Sequence, residues 1–130
     1  MTDYGYTVDV PEGYDEAVIR ARLALRGEGF SILTEMHVGG MLGPEAGDER
    51  QYLFMGAWND PKIEELANGV EVAAHLPCNV VVQETGSSAI VAALDPADAL
   101  AEEGLPPSED MADSTRLALA RAFQRISQAS

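Results

Sequence analysis

The sequence predicts an α+β domain: an antiparallel sheet of about five strands with two long helices covering one of its faces. Three observations point there. Apolar residues alternate with period two over Tyr4–Val10 and Phe30–Val38, and they recur at helical spacing over Tyr14–Leu25 and Met111–Ile126. Two apolar runs, Cys78–Glu84 and Ala89–Asp95, flank a Thr85-Gly86-Ser87-Ser88 turn and form a hairpin. At 130 residues the chain reads as one domain, 1–130, long enough to bury roughly two thirds of its unfolded surface around a single core.

In chain order, Tyr4, Tyr6, Val8 and Val10 alternate with Gly5, Thr7 and Asp9 as in a half-buried strand, which Pro11 ends. Tyr14, Ala17, Val18, Ala21, Ala24 and Leu25 form one apolar stripe opposite Glu16, Arg20 and Arg26. This is an amphipathic helix closed by Gly27 and Gly29. Phe30, Ile32, Thr34, Met36 and Val38 then alternate against Ser31, Leu33, Glu35 and His37 in a second strand. Gly39 to Arg50 reads as a loop; it lacks the Lys-Ser/Thr ending of a phosphate-binding loop, which argues against nucleotide binding there. Gln51–Ala57 is a third strand, apolar on both sides and therefore central, with Tyr52 and Phe54 on one side and Leu53 and Met55 on the other.

Asp60-Pro61 supplies an N-cap and a first helical residue, and Asn68-Gly69 a stop, so a short helix is expected at 61–68. Leu76-Pro77 excludes helix just before the β-branched run, which places Cys78 at the start of a strand. Asp95-Pro96 caps a helical turn to Glu103, and Gly104-Leu105-Pro106-Pro107 is a stiff linker. The last helix runs from about Glu109 to Ile126, with Met111, Thr115, Ala118, Leu119, Ala122, Phe123 and Ile126 on one stripe. Leu53, Met55 and Val81 are expected on the sheet face away from the helices. That face is too apolar to leave wet, so a partner subunit or a bound ligand is expected to cover it.

Charge narrows the setting. There are 22 Asp and Glu against eight basic residues, of which Lys62 is the single lysine, and the net charge is −14. Such a surface repels itself in dilute salt, whereas at molar salt the Debye length falls to about 3 Å. An acidic, lysine-poor surface suits a salt-rich cytoplasm, as in a halophile. The 46% hydrophobic content and regular periodicities argue against disorder. With no basic stripe, nucleic acid is not an expected partner. No apolar run approaches the roughly 18 residues that span a bilayer, and the N-terminus lacks the pattern of an export signal, so a cytoplasmic protein with no membrane partner is expected. One cysteine, Cys78, forms no internal disulfide, consistent with a reducing compartment.

Four segments resemble the family called domain of unknown function 302: Gly29-Phe30-Ser31-Ile32-Leu33-Thr34-Glu35, Gly56-Ala57-Trp58-Asn59 leading to Pro61, Leu76-Pro77-Cys78-Asn79-Val80-Val81-Val82, and Ala93-Leu94-Asp95-Pro96. The likeness covers about residues 4–105, with the C-terminal helix, about 109–126, outside it or only loosely similar. The resemblance implies a strand–helix–four-strand–helix topology similar to the TATA-binding-protein-like fold, commonly as a homodimer, and implies no activity. Many members of the family have Cys-Asn-Pro in the second segment, where this chain has Trp58-Asn59-Asp60-Pro61. A function needing two thiols is therefore not expected, and only Cys78 carries over as a reactive group.

The preferred reading is a homodimer with a cleft for a small, partly apolar ligand near Glu35, Trp58, Asn59, Cys78 and Asn79, positions taken from the family-like segments. The rival is thiol chemistry at Cys78 with a histidine as base, either His75 three residues earlier or His37, which shares a strand face with Glu35. Buried Cys78 packing as a small hydrophobe outweighs that reading. His-x-x-Cys without further ligands is a weak zinc signal, and no metal is expected. The cofactor stays open: noncovalent haem, with a histidine as axial ligand and Trp58, Tyr52 and Phe54 lining the pocket, is one alternative, against the reading of those aromatics as core. A pure interaction module, its sheet face buried in the dimer, is the other.

Overall fold

A computed structural model describes residues 5–39, 50–59, 79–95 and 109–128. It has strands β1 (Tyr6–Val10), β2 (Ser31–Val38), β3 (Tyr52–Trp58), β4 (Val80–Thr85) and β5 (Ser88–Ala93), with helices α1 (Tyr14–Gly27) and α2 (Glu109–Gln128). The strands make one antiparallel sheet in the order β1-β5-β4-β3-β2. Because β1 and β2 are opposite edges, α1 crosses the whole sheet between them. Both helices pack on the same face and on each other, as the sequence predicts. The expected helix at 61–68, the turn to Glu103, the linker at 104–107, the loop at 40–49, and His75 and Cys78 lie outside the described residues.

Helix α1 buries Tyr14, Ala17, Val18, Ala21, Ala24 and Leu25, the stripe read from its spacing. Its end is a Schellman arrangement: Gly29, at φ +90°, donates to Arg26 O at 3.1 Å, and Phe30 donates to Leu25 O at 3.0 Å. Leu25 and Phe30 are both in the core, so the hydrogen-bonded stop also fixes a hydrophobic contact and aims the chain into β2. Helix α2 buries Thr115, Ala118, Leu119, Ala122, Phe123 and Ile126. Its ring Phe123 lies 5.7 Å from Tyr6, and Glu28 at the end of α1 accepts from Arg125 at 2.7 Å. Each fully buried Leu, Ile or Phe side chain stabilises the domain by about 1.5–3 kcal/mol, so these two stripes hold the helices far more strongly than the ion pair does.

The sheet corrects two expectations about which residues face which way. In β2, Ile32 stands opposite Ala57 and Thr34 opposite Gly56, so Leu33 is an extra residue in a β-bulge. The alternation therefore inverts halfway along the strand. Phe30 and Ile32 pack toward the helices, but Met36 and Val38 pair with Phe54 and Tyr52 on the opposite face, helix-free among the described residues, while Glu35 and His37 pair with Met55 and Leu53 on the helix side. In β3, Leu53 and Met55 are fully buried in the core under the helices rather than on the open face. Tyr52 and Phe54 take the open face instead, and Val81 joins them there as expected. The β4–β5 hairpin turns at Gly86, whose φ of +70° is the left-handed conformation a two-residue hairpin loop requires.

Candidate functional site

Trp58, Asn59 and Asn79 meet at one end of β3 and β4. Asn79 is 1% exposed and spends its side chain on the backbone of Ala57, accepting from its N–H at 2.8 Å and donating to its carbonyl at 3.0 Å. Its own N–H donates to Met55 O at 2.9 Å, and its carbonyl accepts from Leu94 N at 2.8 Å. Asn59 Oδ1 accepts from the Thr115 hydroxyl at 2.7 Å, which ties the end of β3 to α2. Trp58 is 1% exposed, and its indole N–H has no hydrogen-bond partner among the described residues. The two asparagines thus have structural tasks at the positions the sequence marked for a ligand.

Glu35 and His37 lie on the helix side near the β2 edge, three or more residues along from Trp58. The Glu35 carboxylate is held bidentately by Arg22 of α1, at 2.9 and 3.0 Å. It therefore faces α1, and its lone pairs are engaged by a guanidinium rather than by an imidazole. His37 is exposed. A flat cofactor ligated by His37 and flanked by Tyr52 and Phe54 is not assembled within one chain, since His37 and those rings occupy opposite faces of the sheet. Cys78 and His75 are outside the described residues, so the structure neither joins nor separates them from His37. Among the described residues no group of three or more His, Cys, Asp or Glu is placed to hold a metal ion.

The helix-free face holds a feature that spans four strands. Pairing brings Thr7, Ala92, Val81, Phe54 and Met36 into one row across β1, β5, β4, β3 and β2, and Asp9, Ile90, Gln83, Tyr52 and Val38 into the next. Over these rows lies an open cavity of about 210 Å³ lined by Thr7, Tyr52, Phe54, Val81, Gln83, Ile90 and Ala92. No lining residue is charged. The Tyr52 and Phe54 rings are stacked nearly parallel, 13° apart with centroids 6.2 Å from each other.

The family described as Domain of unknown function DUF302 matches residues 6–126. The chain belongs to this family. The match runs through α2, so the DUF302 unit here includes the last helix, beyond the four segments that carry the likeness in the sequence. The crystal structure of an uncharacterized conserved protein DUF302 from Bacillus stearothermophilus is similar with a TM-score of 0.63 over 93% of this chain and 96% of that one, at 23% identity. That likeness establishes the fold. A comparison with curated proteins found no match. In this DUF302 chain no helix among the described residues is long and apolar enough to cross a membrane.

Thr7, Gln83, Ile90 and Ala92 were not singled out by the sequence. The signal was present in the period of two: once Val80 and Val82 are core, Val81 and Gln83 must point the other way. What hid it was the misassigned β3, because a strand apolar on both sides gives no indication of which side the helices cover.

Proposed function

We propose that this chain is a homodimeric small-ligand-binding domain whose ligand rests in the groove on the helix-free face of the sheet. The observation that carries the reading is the uncharged, largely apolar cavity built by four neighbouring strands. Among the described residues both helices pack on the other face, and an apolar sheet face left without cover would lie against water. A second copy is the natural cover for what the ligand leaves open. Two chains of net charge −14 repel over most of their surfaces, but of the ten residues in the two rows only Asp9 is charged, so this face can meet its own copy with little repulsion. The ligand contacts then come from Tyr52, Phe54, Val81, Gln83 and Ile90 rather than from Asn59 and Asn79, whose amides are engaged by Thr115 and Ala57. The order of elements fits the TATA-binding-protein-like arrangement, and the acidic composition fits the cytoplasm of a salt-rich cell.

Light scattering and Nile red fluorescence on the same samples test this. The expected result is twice the chain mass and enhanced dye emission in the unsubstituted protein, with both lost in Val81→Glu while the far-ultraviolet circular dichroism is kept. A monomer that leaves the dye dark overturns the proposal.

A further inference from the structure

We infer that the groove selects an uncharged, planar molecule of one or two fused rings that presents a lactam or imide edge, stacked against the Tyr52 and Phe54 rings and read by the side-chain amide of Gln83. The inference rests on the ligand-site reading and adds the chemical class of the ligand.

Size comes first. A cavity of about 150 Å³ accommodates benzene, so the present 210 Å³ fits a substituted ring or a fused pair. Shape follows from the two rings, whose planes are within 13° of parallel, so a flat ligand can stack against their π faces in a way that a branched one cannot. Charge is excluded on two grounds. No lining residue neutralises an anion or a cation, and the net charge of −14 keeps anions away from the whole molecule. The hydrogen-bonding edge is set by Gln83. Its side chain lines the cavity, directly across from Tyr52 on one side and Ile90 on the other, and has no hydrogen-bond partner among the described residues. A primary amide has a carbonyl acceptor beside an N–H donor. The complementary surface is an N–H beside a C=O in one plane, the edge of a lactam or imide, which takes two parallel hydrogen bonds. Its neighbours on the same face, Val81, Ile90 and Ala92, are aliphatic, so Gln83 is the one amide among them.

Three probes built on the same two fused rings separate the elements of the inference: 2-quinolone, which is neutral and has a lactam edge, naphthalene, which has no polar edge, and quinoline-2-carboxylate, which is anionic. Each is titrated by calorimetry into the full chain and into Gln83→Leu. The expected order is 2-quinolone tightest, about tenfold over naphthalene for a pair of neutral hydrogen bonds, with the carboxylate weakest. In Gln83→Leu the 2-quinolone advantage disappears and naphthalene binding is kept. Naphthalene binding as tightly as 2-quinolone in the unsubstituted chain, or the carboxylate binding tightest, overturns the inference and leaves the groove as a ligand site. If none of the three binds, the ligand-site reading fails with it.

Discussion

The side-chain amide of Asn79 pairs with both backbone groups of Ala57, taking its N–H at 2.8 Å and giving an N–H to its carbonyl at 3.0 Å, so one side chain stands in for a strand residue where β4 has not yet begun. Both partners are buried. Removing the amide strands two backbone groups away from water, and each unpaired buried group costs about 1–3 kcal/mol. Asn79→Ala should therefore lower the unfolding free energy by about 2–5 kcal/mol in urea titrations. Asn79→Asp keeps the shape but sets an acceptor against the Ala57 carbonyl, and should be no milder. A loss under about 1 kcal/mol for both variants would show that Asn79 is not the bridge described.

Tyr14 presents the opposite case. Its ring belongs to the core, but its buried hydroxyl has no hydrogen-bond partner among the described residues. Phenylalanine keeps the ring and removes the unpaired group, so Tyr14→Phe should be neutral or stabilising by up to about 1 kcal/mol. Burial also raises the Tyr14 pKa above its usual value of 10.0, with Asp15 and Glu84 adding to the rise and Arg22 opposing it. An acid whose folded pKa is raised holds its proton more tightly when folded. Above pH 10 the unfolded chain ionises first, and stability falls as pH rises through the folded pKa. The alkaline limb of a stability–pH profile should accordingly be shallower in Tyr14→Phe. Tyr6, whose pKa is raised by burial and by Asp95, sets the residual slope. Identical alkaline limbs in the two proteins would count against a buried Tyr14 hydroxyl.

Sequence periodicity recovered the helices almost residue by residue, because α1 and α2 each have one wet face and one dry face and the contrast is visible in composition. Tyr14 through Leu25 is the clearest instance. The strands were located but not oriented. Met36 and Val38 changed face because a bulge at Leu33 adds a single residue, which leaves no mark on an alternation of mixed apolar and polar side chains. Tyr52, Leu53, Phe54 and Met55 are all apolar, so only tertiary packing decides that Leu53 and Met55 go inward to the core. The groove inherits that ambiguity. Asn59 and Asn79 were noticed as polar residues in family-like segments, yet their partners, Thr115 and Ala57, lie 56 and 22 residues away and are fixed by tertiary packing alone.

The Arg22–Glu35 pair discriminates between the helix side and the groove. Its side chains are 31% and 30% exposed, and solvent screens a pair so placed to less than about 1 kcal/mol. Glu35→Gln should shift the urea midpoint only slightly and leave Nile red binding at the opposite sheet face unchanged. A large loss of dye binding in Glu35→Gln with the fold intact would move the site to the helix side.

Salt dependence follows from an imbalance that the ion pairs do not relieve. Arg20 binds Glu12 and Glu16, Arg22 binds Glu35, Arg116 binds Asp95 and Arg125 binds Glu28. Yet eight basic residues face 22 acidic ones, so most carboxylates have no basic partner of their own. Added salt weakens both the pairs and the repulsion. Each pair has at least one side chain about a third or more exposed and contributes about 1 kcal/mol, whereas the repulsion sums over the excess charge of the compact state. Unfolding separates those charges, and raising the ionic strength to about 1 M contracts the Debye length from about 10 Å at 0.1 M to about 3 Å, which removes that advantage. The melting temperature should therefore climb from 0.1 M to 1 M sodium chloride, and chloride is the salt of choice because sulfate would also strengthen apolar burial. A midpoint that stays flat or falls over this range would mean that repulsion within the folded chain is not what limits its stability.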